Sequence, residues 1–137
     1  MSVLRRIMGV IAGIAVGGII VEMGDSASRM MVHVPKDFDS QNTKAMADLV
    51  ANMPVSCFLI MIAGYIVAAF SGGIIATLIT GREQSRPAML VGILLTIGGV
   101  INLTMFPHPV WFIVVSTLVY IPSAWSGWRV IRKEPSA

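Results

Sequence analysis

The stretch "PVSCFLIMIAGYIVAAFSGGIIATLIT", residues 54–80, runs for 27 residues without one formally charged side chain. As a helix rising 1.5 Å per residue it would reach about 40 Å, against roughly 30 Å for the hydrocarbon core of a bilayer. A helix of that length and character belongs in lipid, and it must tilt or protrude.

Three further segments read the same way, at about 3–23, 88–106 and 110–128. The first is interrupted only by Arg5 and Arg6 at its start and Glu22 at its end. Composition agrees with this reading. Hydrophobic residues make up 55% of the 137-residue chain and charged residues 12%, where soluble chains carry roughly 45–50% and about 25%. Too few charges remain to coat a soluble fold. The expected fold is all-α: a single membrane domain over residues 1–137, built as a four-helix transmembrane bundle with both termini cytoplasmic and a short helix in the external loop. The segment after the first span, "EMGDSAS", has no clean small-x-small cleavage site, so that span is expected to be retained as a helix.

Orientation follows from lysine and arginine. Arg5, Arg6, Arg82, Arg86, Arg129, Arg132 and Lys133 fall on one side, seven in all, and Arg29, Lys36 and Lys44 on the other, three in all. The richer side is expected to face the cytoplasm, which places the external segment, 24–53, outside. Trp111 at one boundary and Trp125 and Trp128 at the other suit the interfacial preference of the indole ring.

The connections differ in size. "GREQSRP", residues 81–87, is short, with Gly81 suited to a helix end and Pro87 to a helix start. "FPHPVW", residues 106–111, reads as an external hairpin turn: Pro107 stops one helix, Pro109 suits the first position of the next, and His108 is left between them, able to cap. In the 24–53 segment, Asp25 and Arg29 stand four apart and would pair on a continued helix. Pro35 ends that continuation. Asp39, Ser40 and Asn42 are each candidate N-caps for a short helix ending near Ala51. Its apolar positions, Met46, Leu49, Val50 and Met53, would lie on the membrane surface or lid the bundle. Docking of a partner is the other use of that face.

Lipid gives no hydrophobic drive for helix association, so close backbone contact must supply it. Gly9, Gly13 and Gly17 recur at four-residue steps in the first span, and Gly64, Ala68, Gly72, Ala76 and Thr80 do so in the second. Ala88, Gly92, Thr96 and Gly99 form a similar face on the third, and Ser116, Tyr120, Ala124 and Gly127 on the fourth. Pro122 interrupts the last span and calls for a kink. These faces serve packing within one bundle or association with a homo-oligomeric or larger membrane complex.

No catalytic motif is present: no phosphate-binding glycine loop, no HExxH, no nucleophile elbow. The basic residues follow the positive-inside pattern rather than a nucleic-acid footprint. The single cysteine, Cys57, excludes an internal disulfide framework and reads as a small packed hydrophobe. His33 and His108 share the external side with acidic residues, but their spacing carries no metal signature, and neither metal nor cofactor is expected. The residues that remain as candidates are polar groups in or near the spans. Glu22, Asn102 and His108 form a candidate outer-face site, and Tyr65 and Tyr120 lie near mid-membrane, where each hydroxyl needs a partner.

Met53-Pro54, Gly72-Gly73, Asn102, Pro107-His108-Pro109 with Trp111-Phe112, and Ile121-Pro122 together resemble a functionally uncharacterised group of small bacterial four-span integral membrane proteins. The resemblance spans residues 37–127 and rests on turns and packing residues. It implies a bacterial plasma-membrane location and no particular activity. The function expected is that of a non-enzymatic accessory or scaffold subunit. The alternatives are an oligomeric carrier or channel for a small solute, lined by Glu22, Asn102 and Tyr120, or an outer-face lipid or ligand binder.

Overall fold

Ser2 stands in an extended conformation and its hydroxyl accepts from the backbone N–H of Arg5, so the first helix begins at Val3. That helix, α1 (Val3–Met30), is followed by α2 (Thr43–Ala51), α3 (Val55–Thr80), α4 (Arg86–Met105) and α5 (Val110–Ile131). The computed structural model describes residues 2–32, 36–39, 41–105 and 108–132. The roles expected for His33, Pro35, Ser40, Pro107 and Lys133 lie outside the described residues. Four of the helices, α1, α3, α4 and α5, are long and apolar enough to cross a membrane. The chain is a membrane protein with a four-helix bundle fold.

The helix ends follow from their local chemistry. Asn42 caps α2, its side-chain oxygen accepting from the N–H groups of Lys44 and Ala45. Gly81 ends α3 at φ 106°, a conformation that favours glycine, and its N–H reaches Thr77 O at 2.9 Å. Two prolines sit one place away from expectation. Pro87 is the second residue of α4, and Pro109 precedes α5 with ψ 142°. Both positions suit proline equally, because the N–H groups of a first turn have no partner inside the helix. The first helix runs past the expected residue 23 to Met30, with no proline to stop it.

In the bundle, α1 packs against α3 and α4, and α5 packs against the same two. Helices α3 and α4 meet across the short diagonal, while α1 and α5 do not touch among the described residues. The terminal face carries Arg5 and Gly81; the loop face carries α2 and Pro109. Small residues set the α1–α3 seam. A Cβ on Gly13 would stand 2.6 Å from the carbonyl oxygen of Gly72, and one on Gly72 would stand 2.7 Å from that of Gly13. Gly9 faces Ala76 and Thr80, Gly17 faces Ala68, and Gly24 faces Gly64. Ser28 adds a hydrogen bond across the seam to Cys57 O at 3.1 Å, with both residues buried. Near the terminal face the α3–α5 seam is equally close, with Gly73 against Ala124 and Gly127 against Phe70.

Towards the loop face the α3–α5 seam changes character. Phe58 and Phe112 meet at 4.9 Å between ring centroids, and Tyr65 stacks on Tyr120 at 5.5 Å and 24°. Rings need more room than glycines, so the bundle is tight at the terminal end and wider at the loop end. The threonine hydroxyls of the tight layer bond back to their own helices: Thr77 donates to Gly73 O and Thr96 to Gly92 O, each at 2.7 Å. At the terminal face the guanidinium groups of Arg129 and Arg132 lie over the rings of Trp125 and Trp128.

The seam geometry makes a direct prediction. Gly13→Val places a branched side chain against the α3 backbone and should destabilise the bundle by roughly 1–3 kcal/mol. Gly18→Ala, where an added Cβ meets nothing within 4 Å, should leave stability unchanged. Thermal unfolding of both variants in detergent or nanodiscs checks the contrast.

Candidate functional site

Where the helices widen, they enclose a cavity of about 380 Å³ at the loop end of the bundle. Its floor includes Leu95 of α4, whose side chain lies 3.1 Å from where a Cβ of Gly17 would stand. Met46, Val50 and Met53, from α2 and the residues after it, form the roof. Val50 is buried in this contact. That is the lid arrangement among those expected for the short helix.

All five polar candidates from the sequence line this one cavity: Glu22, Tyr65, Asn102, His108 and Tyr120. The outer-face and mid-membrane groups, separate in the sequence reading, are one site. Glu22 is exposed at its edge and accepts from the Ser26 hydroxyl at 3.4 Å. Asn102 is exposed and lines the same space. His108 stacks on Phe112 at 5.4 Å and 20°, and it also borders a second cleft of about 310 Å³ beside Trp111.

Asp25 is the residue whose role the sequence reading missed. Pairing with Arg29 on a helix surface is the expectation; instead Asp25 turns into the bundle and is only 7% exposed. Its carboxylate accepts from the Tyr65 hydroxyl at 3.1 Å, tying α1 to α3. Arg29, one turn further on, is exposed at the cavity rim. A signal was present. Continuing the four-residue step of Gly9, Gly13 and Gly17 leads to Val21 and then Asp25, so Asp25 lies on the stripe that faces α3.

Tyr120 differs from Tyr65. It is 3% exposed, and its phenol lies against Gly99, where a Cβ would come within 2.9 Å of the ring. No hydrogen bond joins its hydroxyl to another of the described residues, and the side chain lines the cavity. A carboxylate has about four lone-pair sites, so Asp25 also keeps acceptor capacity beyond its bond to Tyr65. The cavity therefore offers unspent hydrogen-bonding groups in an apolar enclosure, the composition of a small-molecule site. Among the described residues no group of three or more His, Cys, Asp or Glu is placed to hold a metal ion.

No protein-family model, curated protein or solved structure matches this chain. The cavity's own geometry is what bears on function.

The two tyrosines should respond differently to loss of the hydroxyl. Tyr65→Phe leaves the buried Asp25 without its donor and should cost roughly 1–2 kcal/mol. Tyr120→Phe breaks no protein hydrogen bond and should change stability by less than about 0.5 kcal/mol. Equilibrium unfolding of the two variants in the same lipid or detergent measures the difference.

Proposed function

We propose that this protein is a non-enzymatic binder of a small, partly apolar guest, held in the cavity beneath α2. The observation that carries this reading is the Tyr120 hydroxyl, without a hydrogen-bond partner among the described residues, in a side chain that lines a 380 Å³ space beside the buried Asp25. Packing alone would fill such a space or pair such groups. The scaffold expectation fits a bundle made mainly of helix-packing faces, and the cavity moves the weight from scaffolding to binding. A solute path through the middle of a single chain is not favoured, because Gly13, Gly72 and Val91 meet below the cavity; a path between copies of an oligomer is not addressed by this contact. The small-residue seams would supply the association energy that holds the cavity walls. In this reading the termini lie in the cytoplasm of a bacterial cell, and the cavity opens on the outer side of the plasma membrane. The lysine and arginine bias and the resemblance to small bacterial four-span proteins support that placement.

The test is native mass spectrometry of protein released from its own membrane in mild detergent. Wild type should carry a bound molecule of defined mass. Gly98→Trp, which fills the cavity from a position where a Cβ meets nothing within 4 Å, should lose it while remaining folded. Identical spectra for the two proteins, both without an adduct, would count against binding.

A further inference from the structure

The cavity has a second feature besides its polar end. Gly18 of α1 and Gly98 of α4 both line it, both are exposed on the outside of the bundle, and a Cβ on either would meet no atom within 4 Å. Leu94, 42% exposed, lines it between them. Just below, α1 and α4 are in contact through Gly13 with Val91 and Gly17 with Leu95. Above that contact Gly18, Leu94 and Gly98 line the cavity, and the space a Cβ on either glycine would take is empty, which makes the gap between α1 and α4 the candidate route to lipid. Gly18 stands about 10 Å below Asp25 along α1, at 1.5 Å per residue. The site thus has an apolar slot at acyl-chain depth and a polar head one to two helical turns above it.

The head has a sign. Two carboxylates, Glu22 and Asp25, stand three residues apart on one helix face and both line the cavity. Tyr65 and Tyr120 add ring faces and a hydroxyl, and Asn102 a side-chain carbonyl. The cationic Arg29 stands at the exposed rim, one turn beyond Asp25. Buried carboxylates are stabilised by a cationic partner, and aromatic faces favour the same charge. Three methionines, Met46 and Met53 in the roof and Met61 one turn toward the loop end from Tyr65, close the space around the polar head. Such side chains repack around varied shapes.

Resting on the binding role proposed above, we infer that the guest is an amphiphilic ammonium. Its amine sits at Asp25 and Glu22 beside Tyr120, and its hydrocarbon chain leaves between α1 and α4 at Gly18 and Gly98, so that it enters from the bilayer. A single-chain or bulky hydrophobic amine fits a volume of about 380 Å³. Most of a long chain would remain in the lipid.

The experiment uses the full-length protein in phosphatidylcholine nanodiscs, with empty nanodiscs subtracting partition into lipid. Octylammonium, octanol and octanoate are titrated by calorimetry. Octylammonium should bind at least about tenfold more tightly than octanol, and octanoate should not bind measurably. Asp25→Asn should weaken octylammonium by about tenfold or more, the scale of one charge-assisted hydrogen bond, and leave octanol unchanged. Glu22→Gln, at an exposed position that does not endanger folding, should weaken octylammonium by a smaller factor. Gly18→Trp should abolish binding of both ligands. Equal affinity for octanol and octylammonium, with both lost in Gly18→Trp, would overturn the charge assignment while keeping the cavity as a binding site. Binding of none of the three would overturn the binding role itself. Unaltered binding in Gly18→Trp would overturn entry between α1 and α4.

Discussion

At the level of Gly13 and Gly72, the backbones of α1 and α3 come so close that no side chain fits between them. Each glycine's missing Cβ is what allows the other's carbonyl to approach. In lipid this is how helices gain contact energy, because apolar side chains lose nothing by facing acyl chains. Close approach also brings dispersion contacts and weak Cα–H···O interactions into range. The rest of the bundle is arranged about this junction. Val91 of α4 inserts beside the same two glycines, so three of the four spanning helices meet at one level. Helix α5 then completes the structure from the far side of α3 and α4.

The cavity is the consequence of where that close packing stops. Below it, glycines and alanines bring every contacting pair together. Above it, the α3–α5 contact is made by Phe58, Phe112, Tyr65 and Tyr120, whose rings hold the helices apart. On the opposite side, α1 stays against α3 through Gly24 and Gly64. The width gained therefore appears between α1 and α4, where Gly18 and Gly98 leave it unfilled. Polar groups collect in this wider part because it is where they can be hydrated, paired or occupied. In the tight layer, hydroxyls bond back to their own helix instead. The binding role and lateral entry proposed above rest on this division into a closed half and an open half.

The structure also separates residues that look alike in the sequence. Tyr65 and Tyr120 sit at similar depths in their helices, yet one donates to Asp25 and the other lines the cavity without a hydrogen-bond partner among the described residues. Glu22 and Asp25 are one turn apart, yet one is exposed and the other buried. For Asp25 the direction of the side chain depended on the helix continuing past the apolar run to Met30. The apolar run ends near residue 23, and on the continued helix beyond it Asp25 reads as a partner for Arg29 rather than as a residue that faces α3. The helical stripe, followed through, would have placed it against α3.

The sequence by itself determined that the chain has four spans, where their ends fall to within a few residues save for the longer end of α1, and which faces carry small residues. Those features are local: apolar length, proline and glycine at the turns, and the four-residue step of the stripes are written along one dimension. It also named the polar residues Glu22, Tyr65, Asn102, His108 and Tyr120. Only the tertiary structure decided that these five share one cavity, that Asp25 joins them as its buried acid, and that Gly18 and Gly98 line the same space. The reason is geometric. Which faces meet, and at what level close packing gives way to aromatic spacing, depends on how four helices are arranged around each other, and no single helix contains that information.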